Sequence, residues 1–253
     1  MEKKQIETFI KKYNLNGAIE GVVWQNNNNH LLVTAMTADR KLYASVQFED
    51  YASKITGFTG VEIPIQETTR LKKMLSFLSD DIALSLDIDP LDATRVRQII
   101  GEDSKNSMIH PVGSKTTIDP IPSMKNIPPF EVEIPVTTEL VDSFSKAFSA
   151  IGDDQTLFTL VMSKKKNKLE MVFGYRNSNT SNRLAIELLP TTGKDTVKNP
   201  ISFNAKNLKE ILTANAEVTD SVLSISEAGL ASIAFNKDGL KSQYYLIKID
   251  VED

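Results

Sequence analysis

The sequence predicts an α+β protein made of two similar domains, each with two helices packed on antiparallel sheets. Three observations lead there. Amphipathic helical stretches recur four times, each precedes a set of alternating strand-like runs, and a proline-rich stretch divides the chain near its middle. With 253 residues, 41% of them hydrophobic, the chain can fill one large core or two ordinary ones.

The first helix is read from Ile6, Phe9, Ile10 and Tyr13, spaced i, i+3, i+4, i+7, with Asn16-Gly17 as its stop. The runs GAIEGVVWQ, HLLVTAMT and LYASVQFE follow as strands. A second helix repeats the stripe in Leu71, Met74, Leu75 and Leu78, and IALSLDID and TRVRQIIG follow it. Next comes HPVGSKTTIDPIPSMKNIPPFEVEIP, which holds six of the ten prolines, from Pro111 to Pro135. Their missing donors and fixed φ exclude a helix interior or a central strand. The expected boundaries are therefore an N-terminal domain over 1–110, a Pro-rich connector over 111–130 and a C-terminal domain over 131–253.

The third helix lies in VTTELVDSFSKAFSAIGDD, with a Thr-Thr-Glu start, a stripe of Leu140, Val141, Phe144, Phe148 and Ile151, and Gly152 as stop. LFTLVMS, KLEMVFGY and RLAIELL are strands. The fourth helix carries Leu208, Ile211 and Leu212 behind Asn204 as cap. SVLSISE and GLASIAFNKDGLKSQYYLIKID close the pattern, the latter a hairpin whose Asn236-Lys237-Asp238-Gly239 turn needs a positive φ at Gly239.

The chain has no cysteine, which excludes disulfides, thiolate metal sites and cysteine nucleophiles and fits a reducing compartment. No run is apolar and long enough to span a bilayer, so a soluble cytoplasmic protein is expected. The two histidines, His30 and His110, are far apart and read as loop or strand-end residues. A formal net charge of −4 opposes wrapping of nucleic acid by the whole surface but leaves a local basic face open.

Such a face is carried by the helices. Lys4, Lys11 and Lys12 lie off the apolar stripe of the first, Arg70, Lys72 and Lys73 on the second, Lys146 on the third, and Lys206 and Lys209 on the fourth. For any one of them, solvation of the wet side of a helix is the ordinary reading. The acidic residues fall mostly elsewhere, in Glu49-Asp50, Asp80-Asp81, Asp87, Asp89, Asp92, Asp153-Asp154 and Glu252-Asp253. Together the helices offer weak contact to phosphates while the remainder repels them.

LLVTAMTADRKLYASVQF, PISFNAKNLKEIL and the closing hairpin, in this order and spacing, resemble the DNA polymerase sliding clamps related to proliferating cell nuclear antigen. The resemblance covers the whole chain. The connector followed by FEVEIPVTTELV most resembles the T-even type bacteriophage clamps. What the resemblance implies is a DNA clamp fold and a processivity factor for DNA replication: a homotrimeric ring that encircles duplex DNA and tethers the replicative DNA polymerase. It further implies a clamp-loader ATPase as partner, no catalytic residue, no metal and no cofactor, and a place in the host-cell cytoplasm if phage-encoded. The DNA-binding residues would be the basic set above. A partner-peptide pocket would use Met36, Leu42, Tyr43, Ile118, Pro120, Ile121, Leu246 and Ile247.

Three rival readings remain open. One is a β-rich virion or scaffold protein whose repeats merely tile. Another is a metal-dependent nuclease or phosphatase on Asp87, Asp89 and Asp92 of LDIDPLD, although this run lacks the glycine and terminal glutamate of a calcium loop. The third is a monomeric single-strand binder, for which Tyr175-Arg176 is the sole aromatic-basic pair.

Overall fold

The structure, a computed structural model, describes residues 1–152, 156–163, 168–175, 182–190, 192–193, 197–218 and 220–250. The chain divides into two units. One comprises Met1–Thr37, Ala44–Pro122 and Asn236–Ser242; the other comprises Ala38–Tyr43, Ser123–Phe235 and Gln243–Asp253.

The first unit contains α1 (Lys3–Asn14), β1 (Val22–Asn27), β2 (His30–Met36), most of β3 (Leu42–Phe48), β4 (Ile55–Thr56), β5 (Glu62–Ile65), α2 (Thr68–Leu75), β6 (Ala83–Asp89), β7 (Asp92–Glu102) and β8 (Ser107–Pro111). Its strands run β3-β2-β1-β5-β7-β6-β4, and β8 also pairs with β7. Alternation sets the core face: Leu31, Val33 and Ala35 of β2 and Ala44, Val46 and Phe48 of β3 are buried, and their neighbours are half-buried. The α1 stripe of Ile6, Phe9, Ile10 and Tyr13 is wholly buried, each side chain contributing about 1.5–3 kcal/mol of transfer free energy. Phe9 meets Tyr13 and Trp24 edge-on at 5.4 and 5.9 Å, and the Trp24 indole N–H donates to the Tyr13 hydroxyl at 3.0 Å. Burial pushes the Tyr13 phenol above its ordinary pKa.

α1 ends at Asn14, two residues before the expected stop, because Leu15 and Asn16 already adopt left-handed φ of 47° and 56°. The Asn14 side chain accepts the Gly17 N–H and holds this turn. α2 is shorter than its stripe predicts: Leu78 is buried, but it lies beyond the helix, which finishes at Leu75.

The second unit contains β9 (Val132–Pro135), α3 (Thr138–Ile151), β10 (Leu157–Ser163), β11 (Lys168–Phe173), β12 (Leu184–Glu187), β13 (Thr192–Gly193), β14 (Ile201–Asn204), α4 (Ala205–Ala214), β15 (Val222–Ser226) and most of β16 (Leu230–Lys237) and β17 (Leu240–Ile247), whose connecting turn belongs to the first unit. One sheet runs β13-β9-β15-β16-β17, and a second runs β12-β11-β10-β14. Phe144 of α3 lies 6.0 and 5.2 Å from the rings of Phe158 and Phe173. Of the α3 stripe only Phe144 is fully buried; Leu140, Val141, Phe148 and Ile151 are half-buried. Both expected caps form: Thr137 accepts from Leu140 N–H, and Asn204 from Asn207 N–H. In the β16–β17 hairpin Asp238 and Gly239 take φ of 51° and 76°, the paired positive values of a two-residue turn.

Between β8 and β9 the only regular element among the described residues is a 3₁₀ turn, Lys115–Thr117, capped by Ser114. The strands without a clear period in the sequence, β4, β5, β8, β9, β13 and β14, are short, and three of them contain a proline. Pro64 lies within β5, while Pro111 and Pro135 each take the final position of their strand.

Candidate nucleic-acid interface

α1 and α2 pack side by side, and Glu20 fixes the start of α2 from outside either helix. Its backbone carbonyl accepts the Thr68 hydroxyl at 2.6 Å, its carboxylate accepts the Thr69 N–H at 2.9 Å, and the Thr69 hydroxyl bonds to the same carboxylate. An N–H at a helix start needs such an acceptor, and a carboxylate there also complements the positive end of the helix dipole. No local capping spacing marks Glu20, so nothing in the sequence points to it.

The two helices enclose an open groove of about 520 Å³ lined by Lys4, Glu7, Lys11, Lys72 and Lys73 together with small polar residues. Lys4 and Lys11 lie two turns apart on a common α1 face, while Lys72 and Lys73 occupy the last turn of α2, where cations suit the helix dipole. Among the described residues none of these four ammonium groups has an ion-pair partner. The groove therefore presents a net positive charge on flexible stems, which can attract a phosphate without fixing its orientation.

The other expected basic residues are placed differently. Lys12 is 1% exposed, so it corrects the expectation: its place in the α1 turn directs it inward beside Tyr13, and it is unavailable to a phosphate. Arg70 is exposed but stands outside the groove, paired with Glu67 at 3.1 Å. In the second unit Lys146 and Lys206 are exposed, and the Lys209 ammonium sits 4.7 Å from the centre of the Phe148 ring, bridging α4 to α3.

Of the expected peptide-pocket residues, Leu42 and Leu246 are 0% and 1% exposed. Strand alternation turns both into the core, which corrects their assignment to a pocket wall. Tyr43 and Ile247 are half-buried; Tyr43 meets Tyr245 edge-on at 5.9 Å, and burial raises the Tyr245 phenol above its ordinary pKa. Met36 and Ile121 are half-buried in the first unit and Pro120 is exposed. Ile118 packs beside Gly21, where an added Cβ would lie 3.8 Å from it.

The Asp87, Asp89 and Asp92 carboxylates are engaged within the β6–β7 hairpin. Arg97 donates to Asp87 at 2.8 Å, Arg95 faces Asp89 at 3.7 Å, and the Thr94 N–H and hydroxyl donate to Asp92. Among the described residues no group of three or more His, Cys, Asp or Glu side chains is placed to hold a metal ion. The Arg183 guanidinium lies over Tyr175, 5.9 Å from the ring centre, while Arg176, Asp153-Asp154 and Glu252-Asp253 lie outside the described residues. No helix among those described is long and apolar enough to cross a membrane.

No protein-family profile matches the chain, and no curated protein matches it in sequence. Solved structures do. The few helices on extensive sheets make up the α+β DNA clamp fold. Proliferating cellular nuclear antigen from Entamoeba histolytica is similar over 98% of this chain and 96% of its own, with a TM-score of 0.67 at 17% identity. The PCNA2–PCNA3 complex from Sulfolobus tokodaii is similar over 98% of this chain and 97% of its own, with a TM-score of 0.67 at 10% identity.

Proposed function

We propose that this chain is a sliding-clamp processivity factor: a homotrimeric ring around duplex DNA that slides on weak phosphate contacts and tethers a replicative DNA polymerase. The observation that carries the proposal is the groove of four unpaired lysines between α1 and α2, in a chain with the clamp fold. A clamp must hold duplex without holding any place on it, so base-edge contacts would defeat it. Lysine serves that need, since its hydrated point charge passes from one phosphate to the next without the bidentate geometry of arginine. Closure of the ring supplies retention, and tethering raises the effective concentration of the polymerase at the primer. No bond is made or broken by the clamp itself.

The trimer is supported by two strand edges. Among the described residues β8 pairs only with β7, and β12 only with β11. Both edges carry exposed apolar residues: Ile109 on β8 is 53% exposed, while Leu184 of β12 and the following Leu189 are 36% and 70% exposed. An open apolar edge invites strand addition, and pairing β8 of one copy with β12 of the next generates a head-to-tail ring. The proposed domains are 1–110 and 131–253, joined by the connector over 111–130. The Tyr43–Tyr245 surface with Ile247 is proposed to receive an apolar anchor of a partner peptide from the polymerase or a clamp-loader ATPase. The bacteriophage branch, with the host-cell cytoplasm as its location, rests on the connector and FEVEIPVTTELV.

Duplex binding as a function of salt tests the groove. Replacing Lys72 and Lys73 together by alanine should weaken binding and reduce the salt slope by roughly 0.9 for each phosphate that the protein no longer neutralises. Unchanged binding and slope would refute the assignment. A protein that tiled a virion would show neither the salt slope nor stimulation of a polymerase.

A further inference from the structure

Resting on the reading of the α1–α2 groove as a phosphate-binding surface, we propose that Glu7 is the residue that sets how tightly the groove holds a phosphate. It is a competitor built into the positive wall. Glu7 lines the groove with Lys4, Lys11, Lys72 and Lys73, the one acidic side chain in that lining. On α1 it stands three residues after Lys4 and four before Lys11, so all three share a helix face. Glutamate four residues ahead of lysine is the favourable order for an ion pair on a helix. Nevertheless, no ion pair joins Glu7 to either lysine, and the carboxylate is only half-buried. It is a negative charge on the same helix face as two positive ones, without an ion pair to either.

Two effects follow when a phosphate enters. The carboxylate repels it at short range, and it offers Lys4 and Lys11 another anion to turn to when the phosphate departs. Both shorten the stay of any single phosphate and lower the difference between occupied and vacant states, which is the barrier to sliding. A simple counter-ion role would instead leave Glu7 paired with one lysine and out of the exchange. A partly solvated carboxylate attracts a lysine only weakly, so the effect should be small per groove, about threefold in affinity.

The test uses the full chain and a duplex oligonucleotide, with Glu7→Gln as the isosteric neutral variant and the Lys72→Ala/Lys73→Ala protein as a second arm. Affinity is measured at low and moderate salt, and diffusion along stretched DNA is measured on single molecules. Glu7→Gln should bind about threefold tighter and diffuse more slowly, with Glu7→Lys going further in the same direction. If Glu7→Gln binds as the unmodified protein does, or more weakly with an unchanged unfolding midpoint, while the lysine variant weakens, the role of Glu7 fails and the phosphate-binding groove stands. If the lysine variant also leaves binding unchanged, the groove reading fails and takes the Glu7 proposal with it.

Discussion

His110 shows how a single side chain can impose a pH limit on the fold. It lies on β8, 2% exposed, and its Nδ1 has no hydrogen-bond partner. Burial holds its pKa below the ordinary 6.5; Glu67, just before α2, raises the value and Arg70 on α2 lowers it. The folded state thus binds a proton less readily than the unfolded state. The stabilisation is fully present above about pH 6.5 and is lost as the pH falls below it toward the depressed folded value. The urea midpoint should therefore decline as the pH falls below about 6.5, and His110→Leu should flatten that decline. A variant with the same pH dependence as the unmodified protein would remove His110 from the account. Side-chain direction is the property least open to reading from sequence. Lys12, Leu42 and Leu246 each belong to an element that the sequence predicts, yet the direction of each side chain depends on the packing around it.

At the scale of elements the helices are legible and the short strands are not. Each helix combines a stripe with a chemical start or stop, and the caps at Thr137 and Asn204 form as their sequences indicate. The short strands β5, β8 and β9 offer little period to detect and include prolines, so only their neighbours can establish them. The same contrast applies to helix starts. Asn204→Ala should cost about 1 kcal/mol in chemical unfolding, the usual worth of a local cap. Glu20→Ala should cost more, about 1–3 kcal/mol, because it strips the acceptor from both the N–H and the hydroxyl of Thr69 and from the end of α1, where the Asn14 amide also approaches the carboxylate. Equal losses for the two variants would mean that Glu20 acts only as a cap and does not hold the groove together.

At the scale of the whole molecule, the repeat of helix and strands and the break at the connector are visible in the sequence, and the clamp fold is their outcome. The edges that would join copies are not, because exposure of Ile109 or Leu189 cannot be read from residue type. Ile109→Lys places a charge on one proposed seam. In sedimentation the unmodified protein should run at three times the 28.1 kDa of the chain, and this variant should shift toward that single-chain mass. An unmodified protein that stays monomeric at micromolar concentration would remove the ring.

The division of the chain has a consequence for how it is assembled. The first unit includes the distant turn at residues 236–242, and the second includes the early segment 38–43. The Lys41 ammonium donates to the Lys248 carbonyl across 207 positions of sequence, and the Glu49 N–H to the Gly239 carbonyl across nearly as many. Neither half of the sequence holds a complete unit, so cleavage in the connector yields two incomplete fragments. Completion of either unit requires the last hairpin, a meeting of distant segments that carries a loop-closure entropy cost. Without that hairpin each unit is left with an unfinished sheet and an unpaired strand edge.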